Sequence, residues 1–124
     1  MHELGIARDL FKIVVQEAKE NSLKAVTKVK IKVGVASGIE VGLLRHSFLD
    51  HIFPGTIAEG AELELVEEAV ETRCKDCGTQ IESSQEFILH CPACGSFNIE
   101  VTKGKDVYLE SIEGEKGNGE LTGG

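Results

Sequence analysis

Tryptophan is absent from this chain of 124 residues, tyrosine occurs once, at Tyr108, and the 21 acidic side chains outnumber the 13 basic ones. Phosphate binding needs a basic surface and base stacking needs aromatic platforms. A formal charge of -8 with so few rings therefore argues against nucleic acid as a partner. No apolar run reaches transmembrane length, and the start Met1-His2-Glu3-Leu4 has neither the basic segment nor the apolar core of a signal peptide, so a cytoplasmic protein without membrane contact is expected. A phosphate-binding loop is also missing: Gly34-Val35-Ala36-Ser37-Gly38 lies between a strand pattern and a helix pattern but lacks the lysine and the glycine spacing of a nucleotide fingerprint. No serine is tied by spacing to a histidine that would activate it, so the chain is not expected to be an enzyme.

Cysteine is scarce and concentrated. All four cysteines fall in two knuckles, Cys74-Lys75-Asp76-Cys77-Gly78 and Cys91-Pro92-Ala93-Cys94-Gly95, with 13 residues between Cys77 and Cys91. Four thiolates at this spacing suit a tetrahedral zinc ion, and a site with all four positions filled by protein is structural rather than catalytic. A redox pair would need only one Cys-x-x-Cys, at the start of a helix after a strand. His90, next to Cys91, is a poorer ligand candidate while four sulfurs are available.

Hydrophobic spacing supplies the rest of the architecture. Leu4, Ala7, Phe11, Val14 and Ala18, broadened by Leu10 and Ile13, predict a helix from Leu4 to about Glu20. Val29, Ile31, Val33 and Val35 alternate with lysines and predict a strand over 26–35. Ala61, Leu63 and Leu65 alternate with glutamates over 61–66, so lysines should face glutamates if the strands are neighbours. Between them, Ser37-Gly38-Ile39-Glu40 has capping-box spacing, followed by a helix to Ile52 that buries Val41, Leu44, Phe48 and Ile52. His46 and His51 are five residues apart, a spacing that does not put them on one α-helical face. Glu59 to Glu71 holds six glutamates and no basic residue, an acidic strand face and connector. Ile81, Phe87, Ile88, Leu89, Phe97, Ile99 and Val101 predict short hairpins around the knuckles, and 106–112 a last strand that returns to the main sheet.

The expected fold is thus α+β: two helices packed on a small three-stranded β-sheet, with an inserted four-cysteine zinc-ribbon domain. The expected boundaries are 1–71 plus 103–113 for the α/β domain, 72–102 for the ribbon, and 114–124 for a disordered tail. The ribbon is too short for an apolar core and needs its ion to fold.

Chemistry gathers at the other end of the chain. The Met1 amine, the His2 imidazole and the deprotonated backbone amides of His2 and Glu3 could share one ion, and nitrogen-rich planar sites suit divalent nickel or copper. An uninvolved terminus is the competing reading of the same residues. Glu3 is in any case favourably placed at the positive end of the first helix.

Met1-His2-Glu3-Leu4 together with Cys74-x-x-Cys77 and Cys91-x-x-Cys94 resembles the HypA/HybF family of nickel-insertion accessory proteins for nickel–iron hydrogenases. The similarity covers residues 1–113, including Gly34 to Gly38 and Gly55-Thr56-Ile57-Ala58-Glu59-Gly60. The resemblance implies a nickel metallochaperone that takes Ni(II) as cargo at its N-terminus and delivers it to the hydrogenase large-subunit precursor. It implies His2 as the essential ligand, helped by the Met1 amine and the backbone of His2 and Glu3, with Glu3 partly a partner contact. It also implies structural zinc on Cys74, Cys77, Cys91 and Cys94, and a nickel-proximal position for Glu40. Implied partners are a HypB-type GTPase, the large-subunit precursor and urease maturation proteins. Gly5 departs from the serine frequent there and loosens the first helical turn. The alternative is a zinc-ribbon protein-interaction or nucleic-acid-binding module that transports no metal. Oligomeric state, nickel affinity and the choice between hydrogenase and urease are not fixed by sequence.

Overall fold

A computed structural model describes residues 3–82 and 90–117. Helix α1 (Glu3–Glu20) is followed by strand β1 (Leu23–Gly34), helix α2 (Val41–His46) running directly into a π-helical segment (Ser47–Ile52), and strands β2 (Glu62–Glu68), β3 (Glu71–Cys74), β4 (Gln80–Glu82), β5 (Ile99–Lys103) and β6 (Val107–Lys116). The strands form two three-stranded sheets, ordered β2-β1-β6 and β4-β3-β5.

The first compact unit comprises residues 39–66 with the segments up to Lys32 and from Tyr108 onward. Helix α1 buries Glu3, Ala7, Leu10, Val14 and Ala18. The face is rotated slightly from the expected one: Leu4 and Ile13 are exposed, and Glu3 occupies the first inward position. Val26, Val29 and Ile31 of β1 are buried, and Leu44, Phe48 and Phe53 complete the core. Lys28 pairs with Glu64 of β2 at 3.2 Å, as expected for neighbouring strands. Lys30 and Lys32 instead reach Glu110 of β6, at 3.9 and 4.0 Å, because β1 is central and offers its lysines to both sides.

The second helix departs most from its sequence pattern. Its N-cap is Glu40 rather than Ser37: the Glu40 carboxylate accepts from the Leu43 N–H at 3.3 Å, and helical residues start at Val41. Ile52 is only half-buried, and Phe53 takes its place in the core. The cause is the π turn, in which the Phe53 N–H donates to the Phe48 carbonyl at 2.8 Å, five residues back. Widening the turn brings both rings inward, with centroids 5.5 Å apart. The same offset brings His46 and His51 together, correcting the expectation that they diverge: their rings lie edge to face at 5.0 Å.

The second unit comprises Val33–Gly38 and Glu67–Val107. It is wider than the stretch 72–102 because the turn after β1 is bound into it: the Val35 N–H donates to the Glu68 carbonyl at 2.9 Å and the Ala36 N–H to the Gly104 carbonyl at 2.7 Å. That approach requires glycine, since a Cβ on Gly34 would lie 2.3 Å from the Gly104 oxygen. Val35 leaves the strand and is exposed. Strand β3 pairs antiparallel with β4 and β5, and Cys74, Ile81 and Cys91 are buried, with Ile99 packed against them. Phe97, expected in this small core, is instead 78% exposed, while Phe87, Ile88 and Leu89 lie outside the described residues. In the first unit β6 extends to Lys116, beyond the expected start of the tail, and Gly117 still donates to the Ser22 carbonyl at 2.8 Å; residues 118–124 lie outside the described residues.

Candidate metal centres

Each cysteine knuckle is the same short piece of backbone used twice. The Gly78 N–H returns to the Cys74 carbonyl at 2.9 Å and the Gly95 N–H to the Cys91 carbonyl at 2.7 Å. Both glycines take a left-handed φ of 79°, which ends the turn at no side-chain cost. A second pair of bonds closes each loop, from the Cys74 N–H to the Thr79 carbonyl at 3.0 Å and from the Cys91 N–H to the Ser96 carbonyl at 2.8 Å. The turns aim amides at sulfur: Cys77 N–H lies 3.5 Å from the Cys74 Sγ, and Ala93 N–H lies 3.3 Å from the Cys91 Sγ. Such donors stabilise thiolate charge and fix the sulfurs in place.

The four Sγ atoms lie within 4.8 Å of one another. Cys74 and Cys94 are separated by 3.6 Å, and Cys77 and Cys91 by 3.7 Å. Disulfides would require about 2.05 Å, and the four cysteines are free. A tetrahedral ion with metal–sulfur bonds near 2.3 Å separates its ligands by about 3.8 Å, so the cluster has the size of a four-thiolate site. Cys74 and Cys91 are buried, and Cys77 and Cys94 are exposed, which gives the ion a dry side and a wet side.

The acid–base balance of the thiols also calls for a cation. The Thr79 hydroxyl, then the Thr79 N–H, pull the Cys77 thiol down to about 6. Against the Ser96 N–H, which lowers it, the neighbouring thiols, Cys74 first, push Cys94 up to about 12. Four thiolates ionise together only when a positive ion offsets their mutual repulsion. The knuckles are tied to each other by Asp76, whose carboxylate accepts from the Ser96 hydroxyl and, at 3.3 Å, from the Asn98 side-chain amide. Those bonds, the Ser96 one first, lower the Asp76 carboxyl below its ordinary value. Thr79, Ser96 and Asn98 were not singled out from sequence, although Ser96 directly follows the second glycine and Thr79 the first. His90 stands apart from the sulfurs and lies against Phe97, with ring centroids at 6.1 Å.

At the other end of the chain, Met1 and His2 lie outside the described residues. Glu3 is buried at 7% exposure, and its carboxylate accepts from the Glu40 N–H at 3.1 Å. The cap residue of the second helix, 37 positions away, thus donates its N–H to a carboxylate on the first turn of α1, and Glu3 and Glu40 become neighbours. The positive amino end of the chain first, then the Glu40 and Glu3 N–H groups, hold the Glu3 carboxyl down at about 2. Glu3 is therefore ionised at neutral pH. Among the described residues, the four cysteines are the set of three or more ligand-type side chains whose donor atoms converge on one point.

The family model for hydrogenase/urease nickel incorporation, metallochaperone, HypA, matches residues 1–114. Hydrogenase maturation factor HypA of Aquifex aeolicus is 41% identical over 113 residues, covering 91% of this chain and 96% of the relative. Its counterpart in Caldanaerobacter subterraneus subsp. tengcongensis is 39% identical over 116 residues, covering 93% of this chain and 100% of the relative. Among solved structures, the solution structure of the Ni metallochaperone HypA from Helicobacter pylori superposes with a TM-score of 0.77 at 26% identity, covering 94% of this chain and 100% of that one. With the family model spanning nearly the whole chain and both the helical unit and the four-cysteine site accounted for, the chain belongs to the HypA family of metallochaperones for nickel incorporation into hydrogenase and urease.

Proposed function

We propose that this protein binds Ni(II) at its amino terminus and delivers it for insertion into the nickel–iron hydrogenase large subunit, with zinc held permanently by Cys74, Cys77, Cys91 and Cys94. The division of labour follows from the ligand sets. Four converging sulfurs leave a tetrahedral ion no open position, so an ion there is retained. An ion that must leave again needs fewer and more labile ligands. His2 and the Met1 amine supply them in this reading, together with backbone amides of His2 and Glu3.

The observation that carries the proposal is the bond from the Glu40 N–H to the Glu3 carboxylate. It engages the Glu3 carboxylate with the cap residue of the second helix, which supports a reading in which residue 3 contributes through its backbone. The same bond sets Glu40 beside Glu3, which supports the reading of Glu40 as a nickel-proximal acidic residue outside the ligand set. A HypB-type GTPase and the large-subunit precursor are the partners this function requires, with urease maturation proteins as a further client system. The protein acts by binding and handing over rather than by turnover, in the cytoplasm where its clients are assembled.

Metal analysis and nickel calorimetry on untagged protein test this. Zinc at one ion per chain should survive dialysis, and nickel should bind at the amino terminus as a separate event that His2→Ala removes without loss of the fold. Unchanged nickel binding in the His2→Ala protein would sink the assignment.

A further inference from the structure

The π turn that ends the second helix places together two side chains that core packing does not require to be histidines. In an α-helix, residues five apart point about 140° away from each other. Here His46 and His51 are rotated onto one side, with ring centroids at 5.0 Å and an interplanar angle of 86°. Phe48 and Phe53 explain the widened turn through their burial. Nothing in that packing demands imidazoles at the two matching outward positions, both of which are exposed. π turns recur at functional sites for this reason, since they realign side chains that a regular helix keeps apart.

We propose that His46 and His51 form a second divalent-cation site, a two-imidazole face for an ion of the nickel, copper or zinc type, with Asp50 as the carboxylate that orients His46. Asp50 Oδ2 lies 2.5 Å from His46 Nδ1, one helical turn away. A neutral imidazole that donates from Nδ1 keeps its lone pair on Nε2, and a carboxylate on the far nitrogen fixes the tautomer and raises the basicity of the ligating one. His51 supplies the second nitrogen after rotation of its exposed ring about the side-chain bond. Asp50 is bound to His46 and stands behind the pair as a support. Two protein ligands leave the remaining positions to water or to a donor on another molecule, so the ion would be exchangeable, unlike one held by the four sulfurs. Imidazole ligation selects borderline ions over magnesium or calcium.

This site is independent of the terminal one, and the experiment keeps them apart. Zinc-loaded His2→Ala protein is titrated with Ni(II), followed by calorimetry and by the ring resonances of the histidines. One further nickel should bind per chain, with the His46 and His51 signals shifting or broadening while His90 stays unchanged. In that background His46→Ala and His51→Ala should each weaken binding by more than about tenfold, and Asp50→Asn by about tenfold with both imidazoles still responding. All three positions are exposed, so circular dichroism should be unaltered. Absence of uptake beyond zinc, or uptake that persists in the His46→Ala/His51→Ala double variant, would overturn the site. Failure of His2→Ala to reduce total nickel in otherwise wild-type protein would count against the terminal reading alone.

Discussion

The two units of this protein build their sites by opposite routes. In the cysteine unit, two short turns of the same design carry nearly everything: each Cys-x-x-Cys-Gly folds on itself through bonds spanning four residues, and what remains is to bring the turns face to face. In the helical unit, by contrast, the notable contacts join groups that sequence keeps apart or misaligns. Glu3 accepts from the N–H of Glu40, the cap residue of the second helix 37 positions later, and His46 meets His51 only through a π turn. In the zinc-bound form proposed above, the first kind of site would be held by its ion, whereas the second rests on the core that surrounds it.

That contrast predicts where perturbations should act. Removing the metal with a strong chelator, or replacing Cys74 by serine, should have the largest effect. Structural zinc in small modules contributes on the order of 10–16 kcal/mol of binding free energy, most of it folding free energy. Amide exchange should become fast throughout β3, β4 and β5 while α1 stays protected. Protected amides in β3 after complete zinc removal would break the comparison. Because the thiols must lose their protons to bind, acidification should release the ion in the same way, with measured zinc content falling as pH drops.

Phe48→Ala is the converse experiment. Emptying a fully buried aromatic position should cost about 3–5 kcal/mol, read as a lowered denaturation midpoint of the helical unit. It should also relax the π turn and separate His46 from His51, while the zinc complement stays at one ion. Loss of zinc on this substitution would show that the units are not energetically distinct.

The smallest effect is expected from Glu3→Gln, and it concerns pH. The Glu3 carboxyl is held at about 2 in the folded chain, below an unfolded value near 4.3. Its stabilising contribution is therefore complete above the unfolded value and is lost as pH falls through the range toward 2. The Gln variant should be less stable than wild type at pH 7, and the two acid-denaturation curves should converge at low pH. A constant difference across that range would remove the charge from the explanation and leave only shape.

Particular residues show how much of this was legible beforehand. The helix over Leu4 to Glu20, the lysine face of β1 opposite Glu64, the return of a last strand to the main sheet, and the four sulfurs all follow from spacing, because repeat, charge alternation and ligand type are local properties of the chain; the order of the strands does not. Other features did not follow. Ser37-x-x-Glu40 satisfies the capping-box pattern, yet Glu40 caps the helix itself, since its own N–H is engaged by a carboxylate that no local window contains. Phe97 has the apolarity of a core residue but sits at a position the knuckle turns outward. Phe53 looks like a helix stop and is a core residue, because one extra residue in the last turn rotates it inward.

By itself, then, the sequence determined which atoms could hold metal and which faces had to be buried. Side-chain chemistry and hydrophobic period are set by residue identity before any folding occurs. The tertiary structure alone decided which of those groups meet. Glu3 reaches Glu40, and His46 reaches His51, only after helix packing has fixed the start of α2 and widened its end around two phenylalanine rings.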